Sequence, residues 1–162
     1  MSSWCWAAIA KSASVFYDPR SEFTQSSIVN DICGRTTRSG NWQHTDLPKR
    51  LSDTLKLTGN YVNHFQNTIE WREIRSEIES KRLLCARVRW QSGGGHFVVI
   101  YGVAQAEATQ WLYIADPRYG PSFIPYEQFV HDYHSTGSCW SHTYFTDVKS
   151  PHMLPSLCAD SV

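Results

Sequence analysis

The hydrophobic period of this chain changes once, near residue 83, and that change limits the fold class it can adopt. Before it, apolar residues recur every three or four positions, as on the buried side of a helix. After it they alternate or run together between Gly-rich and polar turns, as in strands. Helices followed by strands predict an α+β domain in which an N-terminal helical half packs on a mostly antiparallel sheet.

The helical part begins almost at once. Ser3 is placed to cap a helix in which Cys5, Ala8, Ile9, Ser12, Ala13 and Phe16 form one stripe, and Asp18-Pro19 ends it. A second helix follows Thr24, carries Ile28, Val29 and Ile32, and stops at Gly34. After a polar loop over 35–45, Thr45 to Leu57 reads as a third helix, with Leu47, Leu51 and Leu55 on one side and Gly59 at its end. Tyr61 to Phe65 is a short strand. Thr68 then caps an amphipathic helix with Ile69, Ile74 and Ile78 inward and its charged residues solvated.

The strand part comprises Leu83–Trp90, His96–Val103, Trp111–Ala115 and Cys139–Val148, with a short helix around Tyr126–His134. At 162 residues, 1–162 reads as a single domain. Met1 stands four positions before Cys5, and the expectation is a domain excised from a longer polypeptide.

Composition narrows the functional classes. A chain that is 41% hydrophobic and 14% aromatic is not a disordered one. Fifteen basic and fifteen acidic residues leave no net charge, which argues against a dedicated nucleic-acid binder. No apolar run approaches the roughly 20 residues of a membrane span, and no secretory signal is visible. Five cysteines without a C-x-x-C give neither a disulfide framework nor a zinc ribbon, so reduced thiols in a cytoplasmic setting are expected. His134, Cys139 and His142 match no ligand spacing and lack a fourth donor. Neither metal nor organic cofactor is expected.

Three positions carry chemistry. Cysteine catalysis needs a thiolate, which is favoured by the N-terminal turn of a helix and by a neighbouring imidazolium. Cys5 occupies such a turn, whose N–H groups also suit an oxyanion. On that helix alone, a nucleophile and a buried small hydrophobe fit equally well. His96 decides between them. It opens an apolar strand behind Gly93-Gly94-Gly95, where missing side chains let a substrate backbone come close.

The next strand ends at Asp116-Pro117. If the two strands form a hairpin through Gln105–Gln110, His96 and Asp116 emerge at the same end, though their registers are offset and a bulge or flare must close the gap. Asp116 would then orient His96. Trp6 and Trp42, with Gly94 and Gly95, are the candidates for the substrate cleft.

Trp-Cys-Trp-Ala-Ala, Gly-Gly-His-Phe-Val-Val-Ile-Tyr-Gly and Ile-Ala-Asp-Pro, in this order, resemble the compact bacterial papain-like cysteine peptidases. That group includes bacteriocin-leader peptidases and effector or toxin peptidases. The 91 positions from Cys5 to His96 suit these small enzymes better than plant papains, where the interval exceeds roughly 130.

The resemblance implies a papain-like fold and a cysteine endopeptidase acting on a protein or peptide through Cys5, His96 and Asp116. It also implies a preference for small residues such as Gly-Gly before the cut. An effector or toxin setting is favoured, with an immunity protein in the producer; a leader peptidase on an exporter is the rival. Deamidation, transglutamination or non-catalytic peptide binding are the alternatives for the same triad. Family members usually carry a Gln several residues before the cysteine, whereas only Met-Ser-Ser-Trp precedes Cys5 here. Either the sequence starts too late to include that donor, or the oxyanion relies on backbone N–H groups, or the domain is impaired.

Overall fold

A computed structural model of the chain describes residues 4–33 and 49–148. Three helices, α1 (Cys5–Tyr17), α2 (Gln25–Cys33) and α3 (Leu51–Thr58), precede strand β1 (Tyr61–Phe65) and helix α4 (Trp71–Glu79). Strands β2 (Leu84–Arg89), β3 (Gly95–Ala106), β4 (Thr109–Asp116) and β5 (Gly120–Pro125) follow, then helix α5 (Tyr126–His131) and strand β6 (Cys139–Thr146). The strands form one sheet in the order β1-β6-β2-β3-β4-β5, with every pairing antiparallel. The predicted α+β architecture, with an N-terminal helical half on an antiparallel sheet, is present.

The two faces of the sheet have separate cores. Cys85, Phe97, Val99 and Tyr144 face α1, α2 and α3, meeting Trp6, Ile9, Ile28, Leu51 and Leu55. Ala86, Val98, Ile100, Leu112 and Ile114 face the other way, towards Ile74 of α4 and Phe129 of α5. Helix α1 is the pivot of the first core, and its small residues Ala7, Ala10 and Ala13 are fully buried.

Several helix ends differ from expectation for local reasons. Trp4, not Ser3, takes the cap position of α1, and no side chain caps it; Ser3 lies outside the described residues. The buried stripe of α1 is Trp6, Ala7, Ile9, Ala10, Ala13 and Ser14, rotated from the predicted one, which leaves Phe16 48% exposed. Helix α2 is capped reciprocally: Ser27 N–H donates to Thr24 Oγ1 and Thr24 N–H to Ser27 Oγ, each at 3.0 Å. Helix α3 begins at Leu51, behind an extended Arg50, and positions 45–48 of the predicted helix lie outside the described residues. It ends at Gly59, whose φ of 79° provides the left-handed cap. Likewise α4 is capped at Glu70 rather than Thr68, although Ile69 remains buried.

Strands β3 and β4 are longer than expected and meet in a tight turn at Glu107-Ala108, not across a six-residue loop. The predicted bulge is there, between Ile100 and Gly102. Strand β5 was not anticipated. It begins Gly-Pro and ends in Pro, which only an edge strand accommodates readily. No helix among the described residues is long and apolar enough to cross a membrane.

Candidate active site

The site forms where the start of α1 meets the sheet. Carbonyl O of Trp4 accepts N–H bonds from Ala7 and Ala8 at 3.0 Å each, so the helix is wound tightly from its first residue. The side-chain amide of Gln25 donates to the same carbonyl at 3.2 Å and fastens the turn to α2. The helix rotation turns Trp6 inward and leaves Cys5 half-buried at the rim. A nucleophile needs that compromise between support and access.

His96 opens the apolar run of β3 and is 6% exposed. Its Nε2 lies 2.7 Å from Oδ1 of Asp116, the last residue of β4. Cys5, at the start of α1, adds to what keeps the ring protonated. With Nε2 on the carboxylate, Nδ1 is the nitrogen left for the thiol. Imidazole and carboxylate form a bonded pair, and the thiol stands beside it.

Asp116 is saturated with donors. Besides His96, Oδ1 accepts the N–H of Arg118 at 2.6 Å and of Tyr119 at 3.0 Å, and Oδ2 accepts the phenol of Tyr133 at 2.8 Å. Burial pushes this carboxyl up, but the bonds from His96, the Arg118 N–H and Tyr133, with the charge on His96, hold it below the ordinary carboxylate range. For His96, burial pulls downward. Asp116 and Cys5 outweigh that and raise it to about 9. The imidazole is thus an imidazolium at neutral pH.

Aromatic rings wall the imidazole. Trp90 stacks on it at 5.8 Å between centroids, and Tyr119 meets it edge-on at 6.5 Å. A stacked indole keeps water from the face of the His96–Asp116 pair. Trp90, which directly follows β2, is one of several tryptophans numerous enough in the sequence to line a cleft, although Trp6 and Trp42 are the preferred ones; Tyr133 carries no such signal. Tyr133 fell inside the predicted helix Tyr126–His134, whereas α5 stops at His131 and Tyr133 bridges to Ser138.

The proposed cleft residues fare differently. Trp6 is fully buried in the first core, so it packs the helix and lines no cleft. Trp42 lies outside the described residues. Gly94 is exposed in the β2–β3 turn at a φ of 80°, a conformation that favours glycine. Gly95 is covered on one side, because a Cβ there would sit 2.7 Å from the Arg87 guanidinium. Its missing side chain makes room for arginine.

Other thiols are placed for other ends. Cys85 is fully buried, and burial pushes it up to about 12. Among the described residues no group of three or more His, Cys, Asp or Glu is arranged to hold a metal ion. A cavity of about 640 Å³ lies at the far end of α1 around Tyr17, Asp18 and Phe23, and neither cysteine nor histidine is among the described residues that line it.

Comparison with curated proteins finds no match. A family model described as papain-like cysteine protease AvrRpt2 matches residues 1–135. A match over most of the chain establishes at family level what the three motifs suggested by resemblance: this chain belongs to the papain-like cysteine protease AvrRpt2 family and is a cysteine peptidase.

Proposed function

We propose that the enzyme is an endopeptidase in which Cys5 is the nucleophile, His96 the general acid and base, and Asp116 the group that orients His96. The observation carrying this reading is the buried His96–Asp116 pair at 2.7 Å, held as a cation, with Cys5 near enough to add to that charge. Cys5 sulfur adds to the scissile carbonyl, and N–H groups of the first turn of α1 face the oxyanion. As the C–N bond breaks, His96 delivers its proton to the departing amine. Neutral His96 then takes a proton from water, whose oxygen displaces the sulfur from the thioester; the acid product leaves, and the thiolate and the imidazolium are restored.

The resemblance to effector peptidases supports action on a protein of a target cell after delivery, and small residues such as Gly-Gly before the cut. A survey of new protein N-termini in cells making the wild type or Cys5→Ala tests the reaction. Termini that depend on Cys5 are the expected result. Substrates that gain about one dalton per glutamine, with no new termini, would overturn the peptidase assignment in favour of deamidation.

A further inference from the structure

Beside His96 lies a cavity of about 340 Å³ bordered by Trp90, Gln91, Arg118, Tyr119 and Ser138, among others. Its walls touch the triad directly. Trp90 and Tyr119 both contact the His96 ring, and the N–H groups of Arg118 and Tyr119 both bond Asp116 Oδ1. The turn carrying Arg118 is therefore held by the carboxylate that holds the imidazole.

The guanidinium of Arg118 projects between two rings, 5.8 Å from the Trp90 centroid and 5.2 Å from that of Tyr119. Aromatic faces steady a cation without cancelling its charge. Among the described residues, no carboxylate pairs with this guanidinium. Five N–H donors on a planar fork remain to be matched, and a carboxylate matches them best. The other border residues are uncharged, so the cavity has one sign.

The reaction says which part of a substrate reaches it. The acyl part stays on Cys5 at the helix, while the amine departs with a proton from His96 and so passes over the imidazole. Resting on the peptidase reading above, we propose that the cavity of Trp90, Arg118 and Tyr119 binds the leaving segment, and that Arg118 selects a carboxylate within the first two residues after the cut. A lysine or arginine there would meet a like charge.

The test is cleavage of a defined peptide library by wild type, Arg118→Gln, Arg118→Glu and Cys5→Ala, reading the residues that follow each cut. Wild type should enrich Asp and Glu at one of those two positions. For matched Glu and Gln peptides, the ratio of kcat/KM values should fall about tenfold in Arg118→Gln, the size of one charge-assisted contact. In Arg118→Glu the preference should turn towards Lys and Arg.

Library members are made both with free and with amidated C-termini. Preference surviving amidation assigns the carboxylate to a side chain, and preference lost on amidation assigns it to the end of the chain; both support the proposal. Cuts that depend on Cys5 but show the same profile in wild type and Arg118→Gln would overturn the subsite alone. No cut dependent on Cys5 would overturn the peptidase reading and the subsite with it.

Discussion

The phenol oxygen of Tyr133 donates to Oδ2 of Asp116 at 2.8 Å, while His96 takes the other oxygen of the same carboxylate. Tyr133 is fully buried, so its ring cannot swing away, and the carboxylate is clamped in the plane that meets Nε2. Tyr133→Phe keeps the ring and deletes the clamp. A hydrogen bond to a buried charge contributes about 1.5–3 kcal/mol, so a stability loss within that range is expected in denaturant titration. Because the phenol touches no substrate, kcat should fall several-fold with KM nearly unchanged. An equal fall in kcat and rise in KM would show that Tyr133 shapes the binding surface instead.

The raised His96 sets the pH behaviour. An ordinary imidazole near 6.5 loses its proton first in the unfolded chain, whereas folded His96 retains it to about 9. The stabilisation is complete below 6.5 and is lost as pH rises through about 9, on the order of 3 kcal/mol in all. The activity profile should likewise fall on the alkaline side near 9. In Asp116→Asn the burial remains and the principal counter-charge is gone, so the alkaline limb should move to lower pH. A limb that stays near 9 in that variant would mean that Asp116 does not hold the imidazolium.

His96 and Asp116 could be read from sequence because alternation in two adjacent strands places their ends together, and even the offset that required a bulge was visible. Tyr133 could not. It reaches Asp116 from an irregular segment 17 residues later, where His134 and Ser135 have positive φ and no periodicity marks a direction. Trp6 was misplaced for the opposite reason. Proximity to Cys5 suggested a cleft wall, but Trp6, Ile9, Ala10 and Ala13 share the inward stripe, and a helix cannot turn both neighbours outward. Strand β5 was hidden by its prolines, because edge position is a property of the assembled sheet and not of the segment.

Cysteine chemistry offers a direct comparison within one molecule. Cys5 is half-buried beside a cationic imidazole, whereas Cys85 is enclosed in the core and pushed up to about 12 by burial alone. Brief iodoacetamide treatment of the folded enzyme at neutral pH should alkylate Cys5 and leave Cys85 intact, as read by peptide mass mapping. His96→Ala should slow labelling of Cys5 by an order of magnitude or more, since the imidazolium is lost. Unaltered labelling in that variant would detach Cys5 from His96.

Trp6 and Trp90 separate support from function. Trp6 fills the core between α1 and the sheet with no exposed surface, so Trp6→Ala should cost about 3–5 kcal/mol of stability. Trp90 is only partly buried; it packs at the edge of the second core, and its ring also meets His96 and the Arg118 guanidinium. Trp90→Ala should therefore lower kcat/KM about tenfold by admitting water to the His96–Asp116 bond, with a smaller loss of stability than Trp6→Ala. Trp90→Phe keeps a stacked ring and should restore most of the rate. The comparison is made at a temperature where all variants remain folded by circular dichroism. A Trp90→Ala enzyme as active as wild type would reduce the indole to a packing residue, and the water-excluding role would fall with it.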